Sequence, residues 1–377
     1  YYGYPTLSQD YTYQVGDGGP YSPALYNGSY FNPGLSWEIS EQKDLGVDVS
    51  LLKERLNITM DYFDKKTYNL IQQQFTGFPN TFGLNPPFLN QGRIRNRGFE
   101  FSASWKGKVG EVGYEIGGNI ATLKNRVEYI DENPAAVWPH PDAWRGVLKP
   151  FQSKVGVPYY SYWLYKTDGI FQTDKEAADY VGKNGARIQP NAKAGDLKFL
   201  DENNDGKLSD SDRVYMGNAF PKFTYGFTLN LNWKRFDLSM FMQGVGGVKL
   251  FHAFKESTLN GSEQGYNRWD KILDAWSPTN THSNIPKISA SDPNGNFSTP
   301  SDWYLESGNY LRVKSVVIGY TFPRFLKNSS LRVYVSGDNL FTITKYTGMD
   351  PEVGGNGLDG GQFPVSRIYA AGVKLSL

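Results

Sequence analysis

The sequence predicts an all-β fold: a transmembrane antiparallel β-barrel with long extracellular loops. Three observations carry this. Apolar and polar residues alternate with period 2 through one run after another. Aromatic residues make up 15% of the chain and 41 of its 377 residues are Gly, a composition of strands and turns. The connections between runs alternate short and long, the layout of a barrel with turns on one side of a membrane and loops on the other.

Taken in order, Leu45, Val47, Val49 and Leu51 alternate with Gly46, Asp48 and Ser50. After the turn Lys53-Glu54, the set Leu56, Ile58, Met60 and Tyr62 alternates with Asn57, Thr59 and Asp61. Phe99, Phe101, Ala103 and Trp105 lead to a turn at Gly107–Gly110, then Val112, Tyr114, Ile116, Gly118 and Ile120. Phe223, Tyr225, Phe227, Leu229, Leu231 and Trp233 form the cleanest run; Lys234-Arg235 turns it into Phe236, Leu238, Met240 and Met242. The run at 309–322 is less regular and predicts a bulge. Leu331, Val333 and Val335 mark the next strand, and Tyr369, Ala371, Val373, Leu375 and Leu377 the last.

These are nine strands, and they divide the chain. Residues 1–41 are an extracellular loop; 42–124 hold strands one to four with a loop at 68–94; 125–221 form a long extracellular loop. A hairpin follows at 222–245, a loop at 246–307, and the last three strands at 308–377 with a loop at 344–365. Trp105, Trp233 and Tyr residues near strand ends suit interfacial girdles. Asn57, Asp61, Glu100, Glu115, Asn119, Asn230 and Asn232 fall on the opposite face and would line a lumen.

Composition excludes other classes. The net charge of +1 gives no field for nucleic acid. Without cysteine there is no disulfide framework, thiolate site or cysteine nucleophile. Mean hydropathy is −0.52, and no apolar run approaches the roughly 20 residues of a membrane helix. A barrel is not excluded, because its strands average to low hydropathy. His140, His252 and His282 fall in loops without an i, i+4 partner for zinc, and no nucleophile elbow or P-loop occurs. An enzyme is not expected.

The sharpest local motif is Asp201 to Asp212, which fits the calcium-loop pattern D-x-[DN]-x-[DN]-G with an acid at its twelfth position. Asp201, Asn203 and Asp205 would give side-chain oxygens, Lys207 its carbonyl, and Asp212 would close the site, with Gly206 at the sharp turn. The expected role is structural, stiffening the 125–221 loop. The alternative is a solvated acidic turn.

Several strings, in order, resemble SusC/RagA-type TonB-dependent outer-membrane transporters. They are Asn32-Pro33-Gly34-Leu35-Ser36-Trp37-Glu38 with Asp44-Leu45-Gly46-Val47-Asp48, Asp61-Tyr62-Phe63-Asp64-Lys65-Lys66-Thr67, and Asn96-Arg97-Gly98-Phe99-Glu100. Then come Tyr165-Lys166-Thr167-Asp168-Gly169-Ile170-Phe171, Gly195-Asp196-Leu197-Lys198-Phe199, Tyr310-Leu311-Arg312-Val313-Lys314, Arg332-Val333-Tyr334 with Asn339-Leu340, Asp350-Pro351-Glu352, and Phe363-Pro364 with Arg367.

The resemblance implies the C-terminal part of a barrel of about 22 strands, with a plug, a TonB-contacting segment and earlier strands lying ahead of Tyr1. It implies import of glycans or oligopeptides across the outer membrane of a Gram-negative bacterium of the Bacteroidetes, a SusD-like surface lipoprotein as partner, and coupling to TonB-ExbB-ExbD. Gly372, Leu375 and Leu377 resemble the terminal signal of outer-membrane barrels. Aromatic residues in the loops (Trp138, Trp144, Tyr159, Tyr160, Tyr162, Trp163, Trp269, Trp276, Trp303, Tyr304) suggest as a set a recognition surface for sugar or partner, and singly loop packing. Two other functions fit the strand pattern: a passive porin, and a soluble secreted carbohydrate-binding β-protein.

Overall fold

The computed structural model describes residues 7–14, 19, 21–27, 32–73, 86–131, 135–262, 265, 267–323 and 329–376. Its main element is a sheet of ten strands. Nine form one path: β1 (Ile39–Leu51), β2 (Leu56–Tyr68), β3 (Arg93–Val109), β4 (Val112–Thr122), β5 (Phe223–Trp233), β6 (Phe236–Gly246), β7 (Tyr310–Pro323), β8 (Ser330–Thr344) and β9 (Ile368–Ser376). The tenth, Lys124–Tyr129, continues β4 past Leu123 and pairs with the start of β3. Each of the nine pairs antiparallel with the next of the nine along the chain, the shorter strands between them lying in the connections or, for Lys124–Tyr129, against β3. That is an up-and-down meander, and it is open, with β1 and β9 at its edges.

The strands run longer than alternation alone marked. β1 starts at Ile39, and β3 continues to Val109, so its turn is Gly110-Glu111 and not Gly107–Gly110. Polar alternation near strand ends carries no hydrophobic signal, so sequence reading stops short there. The Lys234-Arg235 turn lies where it was expected, with Lys234 at φ +54 as a tight hairpin demands. Residues 324–328, most of the β7–β8 turn, and Leu377 lie outside the described residues, as does 74–85 of the 68–94 loop. The 1–41 segment holds a hairpin, Leu7–Gln14 with Tyr21–Asn27, that the sequence did not announce.

Register assigns the two faces. Leu229 lies across from Ile116 on one side and Met240 on the other, and Met240 from Val316. Trp233 aligns with Val112 and Phe236, then Tyr320, Val333 and Val373. From Phe223 to Trp233 the apolar face covers ten residue steps, roughly 33 Å of strand and about 25 Å of height at a usual barrel tilt, the thickness of an apolar membrane belt. At the short-turn end Trp233 stacks on Phe236 at 6.0 Å, and Phe236 meets the Tyr320 edge at 4.7 Å. Trp105 donates from Nε1 to the Tyr114 hydroxyl at 3.0 Å. These rings gather at the short-turn end of the wall, where Trp105 and Trp233 were expected.

The burial pattern is inverted relative to a soluble protein. The wall's apolar residues are the exposed ones: Val47, Met60, Phe99, Ile116, Trp233, Ile318 and Val373 among them. Buried apolar side chains lie almost entirely in the loops. Leu148, Phe151, Tyr162 and Leu164 pack with Phe251, Ala253 and Tyr304 in one core. The Tyr162 hydroxyl donates to the Gly357 carbonyl at 3.1 Å, so the 123–222, 247–309 and 345–367 connections share that core. The loops also hold their own sheets, including a four-stranded one from Val137–Pro139, Phe151–Lys154, Ser161–Leu164 and Val214–Asn218.

The expected bulge is present in β7. Phe241 lies opposite Ser315 and Met242 opposite Val313, which leaves Lys314 unmatched. On β8 the register steps from Phe341 to Asp338, and Asn339 takes φ +53. One extra residue reverses the faces of β7 above it. Val316, Ile318 and Tyr320 point outward below the bulge; above it Leu311 and Val313 do, and Arg312 faces inward.

Candidate functional site

The candidate site is the polar face of the wall and the mouth that the loops build above it. Asn57, Asp61, Glu100, Glu115, Asn119, Asn230 and Asn232 all fall on the face opposite the apolar belt, as alternation indicated. Asp61 aligns with Glu100, Asn119 with Ser102 and Gly226, and Asn230 with Glu115 and Ser239. Close to the short turns, Asp237 and Arg332 form a two-bonded ion pair on this face. They sit on β6 and β8, with Gly319 of β7 between them. A Cβ at Gly319 would stand 2.5 Å from Arg332 Nη2 and 2.6 Å from Asp237 Oδ1, so the pair exists only over a glycine. The 95-residue separation of its partners hides it from sequence.

Strings that seemed unrelated in sequence meet in space. Arg312 donates from Nη2 to Asp350 Oδ1 at 2.7 Å, and its Nη1 lies 3.1 Å from Glu352 Oε2. Lys314 reaches Glu352 Oε1 at 2.7 Å. The arginine of the Tyr310–Lys314 string and the acids of Asp350-Pro351-Glu352 thus clasp the 345–367 connection to the wall. Arg312 is 4% exposed, and burial of such a charge is tolerable only with those partners. Burial raises the Asp350 carboxyl, but the Glu352 amide, the Arg312 guanidinium and the Val365 amide bring it below its usual value. Asp64, in another string, is held by Arg95, the residue just before the Asn96–Glu100 string. Lys198 bonds Asp168 at 2.7 Å, and Lys287 bonds the buried Asp196 at 2.9 Å.

A cluster at Glu306 was not legible. Lys255 stands 2.7 Å and His252 Nδ1 3.2 Å from Glu306 Oε1, while the Thr347 amide donates to Oε2 at 2.8 Å. Burial raises this carboxyl, but the bonds from His252 and Lys255 outweigh it and hold it far below the carboxylate range. His252 is 1% exposed, and His140 stacks on Tyr160 at 3.6 Å while bonding Ser153 Oγ at 2.7 Å. Both histidines are buried in the loops, His140 against Tyr160 and His252 bonded to Glu306.

Burial pushes the His140 pKa down to about 4 from an ordinary 6.5. The unfolded chain therefore binds more protons between those values, and stability rises with pH there. Acidification from pH 6.5 through 4 is expected to weaken the 137–164 region by about 2–3 kcal/mol. Hydrogen exchange of that region, compared with His140→Phe, checks this; equal acid sensitivity of the two proteins would refute it.

The loop aromatics correct the recognition-surface expectation. Tyr162 and Tyr304 are wholly buried, Trp138 and Trp276 nearly so, and none of the ten is exposed. Tyr304 meets Phe251 at 5.0 Å and Trp303 at 4.9 Å. They pack the loops together. The open surface is polar instead. A cleft of about 650 Å³ between the 123–222 and 247–309 connections is lined by Lys149, Tyr165, Arg187, Gln189, Lys207, Asp210 and Asn294 among others. A second, more apolar cleft of about 340 Å³ lies among Phe254, Thr258, Trp269 and Met349.

The calcium-type loop borders the larger cleft. Asp201 accepts from the Gly206 amide at 2.8 Å and Asp205 from the Lys207 amide at 3.1 Å. Asn203 accepts from the Asp205 amide at 2.9 Å, and its own amide donates to the buried Asp212 at 3.3 Å. Gly206 takes φ +87, a conformation that favours glycine. The residue types fit a calcium donor set, and their oxygens are satisfied here by amides of the same turn. Among the described residues, no three His, Asp or Glu side chains converge as an ion cage.

Comparison with known proteins gives a consistent result. Residues 1–340 match the family described as TonB dependent receptor-like, beta-barrel. The chain is 29% identical over 366 residues to TonB-dependent receptor P3 of Formosa agariphila, covering 92% of this chain and 35% of that protein. It is 24% identical over 369 residues to TonB-dependent receptor SusC of Bacteroides thetaiotaomicron, covering 94% and 34%. It thus spans about a third of these relatives' length. Among solved structures it superposes on the RagAB peptide transporter with a TM-score of 0.77 at 21% identity, over 100% of this chain and 38% of that one. At that identity the likeness speaks for the fold.

Proposed function

The chain belongs to the TonB-dependent receptor-like β-barrel family, and from that premise we propose that it forms barrel wall, lumen lining and mouth of an outer-membrane nutrient importer of the SusC type. The inverted burial carries this reading: apolar residues outward along the wall, polar residues on its other face, packed cores in the loops. The wall is then lipid-facing in the outer membrane of a Gram-negative bacterium. The reading includes a SusD-like lipoprotein over the loops and TonB-ExbB-ExbD as the source of energy. The cargo is a glycan or oligopeptide, and the cleft of about 650 Å³ is wide enough to hold one end of it. The role is transport, without catalysis.

The test is uptake by cells. Deleting the gene is expected to abolish accumulation of a labelled oligosaccharide or oligopeptide that the wild type concentrates. Dissipating the proton gradient should do the same. Uptake that persists without the gradient would leave a passive porin. A full-length protein that stays in solution without detergent would sink the membrane reading altogether.

Calcium at Asp201, Asn203, Asp205, the Lys207 carbonyl and Asp212 is part of the proposal. Its support is the donor pattern and the left-handed Gly206. Binding requires the carboxylates to exchange amide partners for the ion. Protection of residues 195–215 from protease is expected to depend on calcium, and Asp201→Ala with Asp205→Ala should abolish it. Identical digestion with and without chelator in the unmodified protein would count against the ion.

A further inference from the structure

We propose that the outward face of the wall carries, directly above its apolar belt, a binding site for the phosphate groups of an anionic outer-leaflet glycolipid, built by Lys66, Arg97, Lys124 and Arg126. The proposal rests on the membrane reading of the wall.

Register defines the site. Leu45, Tyr62 and Phe99 form an in-register row across β1, β2 and β3, with Thr122 and Phe223 continuing it. It is the last apolar row of the belt. One step of two residues further, about 7 Å along the strands, the outward row is Lys43, Asp64, Arg97 and Lys124. The row after that is Glu41, Lys66, Arg95 and Arg126. Apolar character ends abruptly and cations take over.

Charge accounting leaves an excess. Arg95 is held by Asp64 and lies 3.6 Å from Glu128, and Lys43 lies 3.3 Å from Glu41. Those carboxylates are thereby engaged. Lys66, Arg97, Lys124 and Arg126 form no ion pair among the described residues, although Asp64 lies within the longer-range field of Lys66 and Arg97. Arg97, Lys124 and Arg126 are exposed.

The excess belongs to one face. The inward row at the same height is Gln42, Lys65, Asn96 and Asn125, with a single cation. A merely solvated wall has no reason to segregate charge this way. A lipid boundary has one, because headgroup phosphates lie just above the acyl chains and attract Lys and Arg. Arginine additionally grips phosphate with two parallel bonds. Tyr62, Phe99 and Tyr129, all exposed beside the cations, suit the interfacial zone.

The probe is bis-phosphorylated lipid A, compared with the same lipid after phosphate removal. Each is added to the full-length protein in neutral detergent and retention is read by native mass spectrometry. The folded barrel is expected to retain the phosphorylated lipid at least tenfold better. The variant Lys66→Gln/Arg97→Gln/Lys124→Gln/Arg126→Gln should lose that preference. A matched variant at the opposite end, Lys53→Gln/Lys106→Gln/Lys108→Gln/Lys234→Gln, should keep it. Heat-modifiable gel mobility shows that each variant is folded. Should the fourfold variant not fold, Arg97→Gln alone is expected to lower the preference severalfold. Equal retention of the two lipids by the folded, unmodified barrel overturns the proposal and leaves the membrane reading intact. So does a co-purifying protein found to cover these rows. A chain that neither folds in detergent nor partitions into membranes defeats the membrane reading itself.

Discussion

Replacing Arg312 by alanine is expected to release the 345–367 connection from the wall and cost about 3–5 kcal/mol. The removed guanidinium would leave Asp350 and Glu352 in a site where both charges are largely shielded from water. Removing one partner of a buried pair exposes the full desolvation cost of the other. The double replacement Arg312→Met with Asp350→Asn should lose less, because no lone charge is stranded. The measurement is the temperature at which the folded barrel loses its compact gel mobility, with protease access to 345–367 as the local readout. An Arg312→Ala protein as resistant as the parent on both would refute the clasp. Since Asp350 is held below its ordinary value, its contribution is present above that ordinary value and is lost as pH falls through the lower, folded one.

The second large effect separates the faces of the wall. Leu229→Arg places a charge near mid-height of the apolar belt, where a bilayer makes it cost about 2–4 kcal/mol. Thr228→Arg, one residue away, points to the polar face and should be nearly neutral. The pair should differ strongly in the yield of folded barrel in the membrane fraction. Equal yields would mean that the belt does not face lipid.

Much of the wall was legible because period 2 is a direct imprint of a two-faced sheet. The run from Phe223 to Trp233 could be read residue by residue, and the seven polar residues assigned to the inner face lie there. Strand ends were not legible: past Leu45 and Phe99 the outward residues are Lys43 and Arg97, whose charge conceals the continuing strand. Ion pairs such as Asp237 with Arg332 depend on strand registers that no local pattern encodes. The loop aromatics misled for a different reason. Ring-rich composition says that apolar area exists, but only the fold shows whether another loop covers it, as Phe251 covers Tyr162 and Tyr304. The resemblance strings proved informative beyond identity, since Arg312 and Asp350 are partners and Asn339 sits at the step in β8 where a left-handed residue is required.

The unmatched Lys314 has a consequence for how this wall can vary. Below it, the apolar outward residues of β7 are the even-numbered Val316, Ile318 and Tyr320. Above it, the same strand follows an opposite parity, and Arg312 answers to Asp350 and the mouth. A single odd insertion thus lets one strand carry two opposite sequence parities on a continuous wall. Deleting Lys314 would close the ladder, with Ser315 and Val313 consecutive and Arg312 still facing inward; deleting two residues would turn Arg312 to the outer face.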